Sequence, residues 1–462
     1  ARMSCPRPRR WRSGDRCGRG YAGSCHTIAA CASLPISPRR PGRAGRGAGP
    51  GTCRPGGLTT EGGRHQGAKR LRLAASGRAR FRGHAPGGAR AAPRLQFPID
   101  RTAPPGQAWR TVAGGADDTR RQQAGHGWRR RCSARGGPGM RIDALQYANW
   151  SEKVFRQMRE GGLDAVHVTI AYHETFREAV LNIEQWNRRF ERYPDLITQV
   201  RSGDDIRRAK AEGRTGIVFG FQTPSPIEDD IGLVEILHTL GARIMQLSYN
   251  NQSLLATGAY EAEDPGLTRM GREVVAEMNR VGMVVDMSHS AERSTLEAIA
   301  QSTRPIAITH ANPHAWHPAL RNKSDRVIRA LAESGGMLGF SLYPHHLKDG
   351  SACTLESFCE MIARTAEITG PGRLGIGSDL CQDQPDSVVT WMRTGRWTKG
   401  MDYGEGSAAA PGFPPMPDFF RDNRDFPRLE RGLRAAGFDA HETAGIMGGN
   451  WLAFFDAGFG PA

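Results

Sequence analysis

Two histidines in the second half of the chain follow short apolar segments in the same way. His289 ends the segment VDMSH, and His310 ends the segment ITH. Neighbouring parallel strands lie about 4.8 Å apart, so imidazoles at equivalent strand ends can share one divalent ion. The pair predicts a metal site compatible with zinc. Hydrogen-bonded histidines that hold no metal fit the same pattern.

Two further side chains stand where chemistry is expected. Asp379 ends the segment GIGSD, where a carboxylate can bind a metal or accept a proton from an activated water. The same residue can instead cap a helix. Arg321 opens the segment RNKSD, and its planar guanidinium can hold a substrate carboxylate. An exposed arginine at the start of a helix is the alternative there.

Eight near-continuous apolar segments precede or contain these residues, and helical patterns separate them. Such segments are typical of parallel strands that are covered on both faces. Strands and helices in alternation predict an α/β fold, a (β/α)8 TIM-type barrel over residues 140–462, with its chemistry at the C-terminal ends of the strands. The predicted strands are 142–145, 165–170, 217–221, 244–249, 283–287, 306–309, 337–342 and 374–376. The Gly- and Pro-rich segment 395–417 is predicted to be a loop or lid at that rim.

The net charge of +16 averages two unlike parts of the chain. Residues 1–139 hold 29 basic and 5 acidic side chains, a net charge of +24, which leaves 34 basic and 42 acidic ones, a net charge of −8, for the barrel. The first part is rich in Arg, Gly and Pro and is predicted to be disordered. A nucleic-acid-binding arm, a targeting peptide and translation from an upstream start can each explain it.

The third explanation is favoured by three observations. Arginine is used almost to the exclusion of lysine in this part, the first residue is not Met, and Met140 stands directly before the first predicted strand. The barrel itself is acidic, so we expect no nucleic-acid partner.

Cysteine use and hydropathy suggest a compartment. The cysteines after residue 139 are Cys353, Cys359 and Cys381, and their spacing predicts neither a disulfide framework nor a zinc ribbon. No apolar segment approaches the roughly 20 residues that a membrane helix needs. We therefore expect a reducing, cytoplasmic location without a membrane segment.

From about residue 140 to 455 the chain resembles the membrane (renal) dipeptidase family, zinc-dependent barrels of the amidohydrolase type. The segment GREVVAEMNRVGM leading into DMSH is similar to that family's helix, strand and metal histidine in unbroken register. The segments TH at 309–310, RNKSD, GIGSD and GGNWL follow in the same order. The resemblance implies a two-zinc site at which dipeptides are hydrolysed, and a homodimer.

The resemblance also assigns roles. It implies that His289 and His310 bind one zinc ion, that Asp379 acts beside the metal, and that Arg321 holds the terminal carboxylate of the substrate. The family's pattern is broken elsewhere. Leu145 and Tyr147 stand where the family has a His-x-Asp pair for the other zinc.

Two further departures concern single residues. Gln222 replaces the bridging glutamate, and Tyr249 replaces a histidine beside the substrate. Leucine cannot bind zinc, and a neutral amide is a poor bridge between two ions. We therefore expect one zinc ion rather than two, with Gln222 and Tyr249 as substrate-binding residues.

The remaining metal positions can be filled by Asp379, by water, or by His167, His173 or Glu228. Acidic residues at 228–230 more simply favour a nearby helix N-terminus. His345 and His346 lie beyond a strand end and are treated as loop residues.

The sequence therefore predicts a metal-dependent hydrolase. It cleaves a dipeptide or another small amide by metal-activated water, with Asp379 as the proton acceptor. The alternative is a degenerate barrel that binds a small molecule or a partner without hydrolysis.

Overall fold

The structure, a computed structural model, describes residues 139–396 and 398–460. Its centre is a parallel sheet that closes into a barrel because β2 pairs with β4. The strands are β1 (Ile142–Gln146), β2 (Ala165–Ala171), β3 (Ile197–Val200), β4 (Thr215–Phe221), β5 (Ala242–Gln246), β6 (Val284–Asp286), β7 (Ala307–Ile308), β8 (Met337–Phe340) and β9 (Leu374–Ile376). The predicted (β/α)8 barrel is confirmed, and all eight predicted strands have a counterpart.

One strand, β3, has no counterpart in the prediction. It pairs with the first half of β4, and β5 pairs with the second half. β3 and β5 therefore pair with the same edge of β4, β3 near its start and β5 near its end. The two central side chains of β3, Thr198 and Gln199, are polar and only partly buried, so its sequence lacks the apolar run of a barrel strand.

Helices cover the outside of the barrel, and half of them directly follow a serine or threonine whose side chain accepts a hydrogen bond from the first turn. They are α1 (Glu152–Glu160), α2 (Phe176–Arg192), α3 (Gly203–Ala211), α4 (Gly232–Thr239), α5 (Arg269–Val281), α6 (Glu292–Gln301), α7 (Asp325–Glu333), α8 (Leu355–Thr369), α9 (Ser387–Thr394), α10 (Phe426–Ala435), α11 (Ala440–Ala444) and α12 (Asn450–Gly458), and the six with such a cap are α1, α2, α3, α5, α7 and α8. A π-helical turn, Gly445–Gly449, joins α11 to α12.

The N-terminal end of the barrel is closed by α12. Trp451, Phe454 and Phe455 pack against the first inward-facing residues of the strands. The Trp451 indole donates a hydrogen bond to the Ile376 carbonyl at 3.0 Å. A Cβ at Gly375 would lie 2.2 Å from the indole nitrogen, so glycine is required for this approach. The opposite, C-terminal end is therefore the one that can hold a site.

The outward faces of the strands pack against the helices in a second apolar core. Burial on both faces explains why the strands read as continuous apolar segments rather than alternating ones. The segment predicted to be disordered, 1–139, lies outside the described residues except for Gly139. Within the described ranges, no helix is both long enough and apolar enough to cross a membrane.

Candidate active site

His289 and His310 meet at the C-terminal ends of β6 and β7. Both side chains are buried, and their Nε2 atoms lie 3.0 Å apart. Parallel strands next to each other place equivalent residues side by side, which is why the two imidazoles converge. The structure thus brings together the two residues that the sequence predicts as metal ligands.

The other nitrogen of each ring is held by an oxygen. His289 Nδ1 lies 2.6 Å from Asn250 Oδ1, and His310 Nδ1 lies 2.8 Å from Thr309 Oγ1. The Thr309 hydroxyl donates its own proton to Asp286 at 2.6 Å, so it accepts from the imidazole. Both protons are therefore assigned to Nδ1, and both Nε2 lone pairs face each other.

Two lone pairs that face each other at this distance repel unless a cation lies between them. Two histidine ligands of one tetrahedral zinc ion, with Zn–N bonds of about 2.0–2.1 Å, have nitrogens about 3.3 Å apart. The pair therefore fits two ligands of a single ion. Burial, and then the positive charge of Arg321, hold the pKa of both imidazoles well below the usual range, so both stay in the neutral, ligating form.

A third ligand of the usual type is not at hand. Among the described residues, no group of three or more His, Cys, Asp and Glu side chains could hold a metal ion. Catalytic zinc sites use three protein ligands as a rule. Any ion on this pair would therefore depend on water or substrate for its remaining positions.

Asp379 and His289 line the same pocket. Burial and the charge of Asp143 raise the pKa of the Asp379 carboxyl to about 7, and Arg321 opposes the shift. The residue has a positive φ of 56° and caps no helix, because α9 begins eight residues later after Asp386. A carboxyl with this pKa can both accept and donate a proton near neutral pH.

Arg321 lies under the same pocket and is only 1% exposed. Its guanidinium donates hydrogen bonds to the carbonyl oxygens of Ser288 and His310, the latter at 3.4 Å. It therefore braces the two strand ends that carry the histidines. The alternative of a surface arginine is wrong, because the side chain is buried.

Tyr249 and Gln222 also line the pocket. The Tyr249 ring stacks on His289, with ring centroids 4.0 Å apart and planes inclined by 26°. Gln222 Nε2 donates to the hydroxyls of Thr169 and Tyr172, at 2.8 and 2.9 Å. The predicted substrate-binding residues are thus all at the pocket, although their roles in binding stay predictions.

Packed side chains fill the positions at which the resemblance implies the other metal ligands. Tyr147 and Tyr172 make an edge-to-face contact with ring centroids 4.7 Å apart, and Tyr172 makes another with Tyr249 at 5.3 Å. Leu145 is fully buried. These side chains, with Gln222, offer neither an imidazole nor a carboxylate to an ion.

The proposed substitutes for the lost ligands have other partners. His173 Nε2 lies 3.2 Å from the Met392 carbonyl. Glu228 accepts a hydrogen bond from the N–H of Phe176, the first residue of α2. Its negative charge therefore stabilises a helix N-terminus, which is the alternative to a metal ligand. His167 is bound through Nδ1 to the Ala144 carbonyl, and its buried Nε2 has no partner.

Sequence reasoning missed several residues of the pocket wall. His345 and His346 follow β8 and line the pocket, and their place beyond a strand end was the available signal. Arg393 comes from α9, and the segment 402–405 comes from the predicted rim loop. Glu405 joins that loop to the rim, because it accepts hydrogen bonds from the Arg321 backbone N–H and from the Tyr260 hydroxyl.

Comparison with known proteins agrees with this geometry. A family model described as membrane dipeptidase, peptidase family M19, matches residues 142–389. The dipeptidase tcpJ of Claviceps purpurea is 30% identical over 221 residues, which cover 47% of this chain and 51% of that protein. The dipeptidase aclJ of Aspergillus oryzae is 26% identical over 317 residues, which cover 64% and 68%. The chain thus spans about half the length of the first relative.

Solved structures have the same fold. An amidohydrolase from Pseudomonas aeruginosa matches with a TM-score of 0.66 and 34% identity, covering 72% of this chain and 99% of that one. A metallopeptidase from Rhodobacter sphaeroides, liganded with a phosphinate mimic of the dipeptide L-Ala-D-Ala, matches with a TM-score of 0.57 and 18% identity, covering 70% and 100%. At that identity the second match supports the fold alone.

Proposed function

Because the chain belongs to the membrane dipeptidase family, we propose that it is a metal-dependent hydrolase that cleaves a dipeptide or another small amide. The observation that carries the proposal is the pair His289 and His310, with Nε2 atoms 3.0 Å apart and both Nδ1 atoms held by oxygens. Family membership implies a metal, generally zinc. The comparisons do not favour the alternative, a barrel that binds without hydrolysis.

We assign one zinc ion to His289 and His310, and none to the side of the pocket that Tyr147 and Tyr172 fill. When bound, such an ion supplies Lewis-acid activation of a water molecule and of the scissile carbonyl. The hydrogen bonds of Asn250 and Thr309 to the two imidazoles fix the ring orientations before the ion arrives.

Asp379 handles the proton. In its ionised form the carboxylate accepts the proton that water loses as it attacks the amide carbon. The protonated carboxyl then returns that proton to the nitrogen of the leaving amine. Without a metal, burial raises the pKa of this carboxyl to about 7, and the positive charge of a bound ion would lower it and so favour the carboxylate that accepts the proton.

Arg321, Tyr249 and Gln222 position the substrate. The guanidinium of Arg321 carries five N–H donors, and those not used on the Ser288 and His310 carbonyls remain for a substrate carboxylate. Tyr249 covers one face of His289 and so limits how a substrate approaches that side of the site.

The test combines metal content with turnover. The full chain, purified with zinc, should hold about one ion per chain and should hydrolyse members of a dipeptide panel. A well-folded protein that binds no metal, or a zinc-loaded protein that cleaves no dipeptide or small amide, contradicts the proposal. The homodimer and the cytoplasmic location stay predictions, which sedimentation and cell fractionation can test.

A further inference from the structure

Arg393 places a positive charge in the wall of the pocket from α9. Its guanidinium Nη1 is buried and has no hydrogen-bond partner. Among the described residues, seven buried side-chain nitrogen or oxygen atoms lack a partner, and this one alone belongs to a residue that lines the pocket. The residue also lies just beyond 142–389, the segment that the family model matches.

The contacts that Arg393 does make are with neutral groups. The guanidinium hydrogen-bonds to the Tyr343 hydroxyl and lies over the Tyr403 ring, 5.8 Å from its centroid. Two carboxylates of the pocket wall, Asp402 and Glu405, have other partners. Asp402 accepts from the Gly404 N–H at 2.9 Å, and Glu405 accepts from Tyr260 and from the Arg321 backbone.

A buried guanidinium N–H without an acceptor is unfavourable, since the group loses its water and gains nothing in return. A planar carboxylate is the ligand that best completes such a group, because its two oxygens match two parallel N–H donors. The charge and the position of Arg393 therefore call for an anionic ligand inside the pocket.

Arg321 alone is poorly placed to bind both oxygens of a substrate carboxylate. Two of its guanidinium nitrogens already donate to the Ser288 and His310 carbonyls, and the side chain is fixed by them. A carboxylate that enters the pocket can contact the free N–H groups of Arg321 on one side. Arg393 then offers a donor with no competing protein acceptor.

We propose that Arg393 binds the carboxylate of the substrate together with Arg321, and so makes the pocket selective for amide substrates that carry a free carboxylate. This inference rests on the proposed hydrolase function. It adds a specificity-determining residue that lies outside the barrel strands and their rim motifs.

The test compares a dipeptide that the protein cleaves with the same dipeptide as its C-terminal amide. For Arg393→Gln, kcat/KM for the free dipeptide should fall by about 10- to 100-fold, mainly through KM, because one charge-assisted hydrogen-bond pair is lost. Turnover of the C-terminal amide should change by less than about threefold. Arg393→Lys keeps the charge but not the planar guanidinium. Its kcat/KM for the free dipeptide should lie between those of the wild type and Arg393→Gln.

The matched control is Arg396→Gln, because Arg396 is the next arginine along the same segment. It is exposed, it contacts Glu178 and the His173 carbonyl, and it does not line the pocket. The control should leave both substrates unaffected. Bound zinc should be the same in all variants.

A binding measurement separates this inference from the hydrolase proposal. The probe is a dipeptide with a reduced –CH2–NH– link, which cannot be hydrolysed, in carboxylate and carboxamide forms, titrated by calorimetry into zinc-loaded protein. Weaker binding of the carboxylate form alone by Arg393→Gln supports the inference even if no dipeptide is cleaved. Equal losses for both forms, no loss, or failure of the wild type to bind either form overturns it.

Discussion

The two sides of the barrel mouth differ in how their polar groups are satisfied. On the side of β6 and β7, His289 and His310 keep a complete set of supporting hydrogen bonds, which leaves each Nε2 free. On the side of β1 and β4, Tyr147 and Tyr172 fill the space with packed rings, and Gln222 is hydrogen-bonded to hydroxyls. One side leaves two nitrogens free for an ion, and the other is packed with rings and an amide that offer an ion neither an imidazole nor a carboxylate.

Where the resemblance implies a second metal subsite, the chain has packed side chains rather than a hole. An empty, buried ligand set without its ion would leave unpaired charges, which cost several kcal/mol. Aromatic rings and an amide that satisfy one another avoid that cost. On the other side, His289 and His310 bury no charge without an ion, because the pKa of both imidazoles lies well below the usual range and both are neutral.

The largest expected effect comes from removing one histidine of the pair His289 and His310. His289→Ala should abolish zinc binding and lower kcat/KM for a dipeptide by about 1,000-fold or more, because the ion is worth several kcal/mol to the transition state. Atomic absorption and steady-state kinetics measure both. His314→Ala, in an exposed loop, is the control. Full zinc content in His289→Ala would contradict the assignment.

Asp379→Asn should lower kcat by about 100- to 10,000-fold while zinc stays bound, since the amide cannot accept the proton. In the zinc-loaded wild type, kcat/KM should rise with pH as the carboxyl ionises, with a midpoint below the metal-free pKa of about 7 because the ion's charge favours the carboxylate. Asp383→Asn is a matched control, because Asp383 shares the positive φ but is exposed and paired with Lys153. An unchanged rate in Asp379→Asn would remove this residue from the mechanism.

A further test introduces metal-binding side chains on the side of β1 and β4. The triple variant Leu145→His, Tyr147→Asp, Gln222→Glu should raise bound zinc from about one to about two ions per chain. Without zinc it should unfold more easily than the wild type, because it buries two uncompensated carboxylates. Asparagine at all three positions is the control and should keep one ion. A folded triple variant that still binds one ion would show that more than ligand identity was lost.

The smallest effect concerns Asp143 on β1. Burial raises the pKa of its carboxyl from 3.8 to about 6, against the hydrogen bonds from Ser378 and Gln146 that favour the charged form. The folded state therefore binds this proton more tightly than the unfolded state. The contribution to stability is complete below pH 3.8 and is lost as the pH rises through about 6.

Asp143→Asn removes this contribution. In metal-free protein, the unfolding free energy of the variant relative to wild type should increase by about 2 kcal/mol between pH 4.5 and 7. Buried histidines with lowered pKa values change stability in the opposite direction, so only the difference between the two proteins is informative. Urea unfolding at both pH values measures it, and a difference that is independent of pH would refute the shift.

The sequence predicted the barrel because its strands are buried on both faces and therefore read as apolar segments. It missed β3, which is short and half-buried. The two histidines could be placed because each follows a strand at the same point. The position of Arg393 could not be predicted, because the segment that leads into α9 has no clear pattern. Nothing in its periodicity indicates that α9 lies over the C-terminal end of the barrel.

The aromatic side chains of α12, which close the N-terminal end of the barrel, also affect when the barrel can form during folding. Trp451, Phe454 and Phe455 fill the bottom of a barrel whose first strand begins some 300 residues earlier at Ile142. During synthesis the strands emerge without those aromatic side chains, and their inward apolar residues stay open to water or to other chains. Because α12 emerges after all nine strands, it is what converts a collapsed sheet into a closed cylinder, and shortening α12 should promote aggregation of newly made protein.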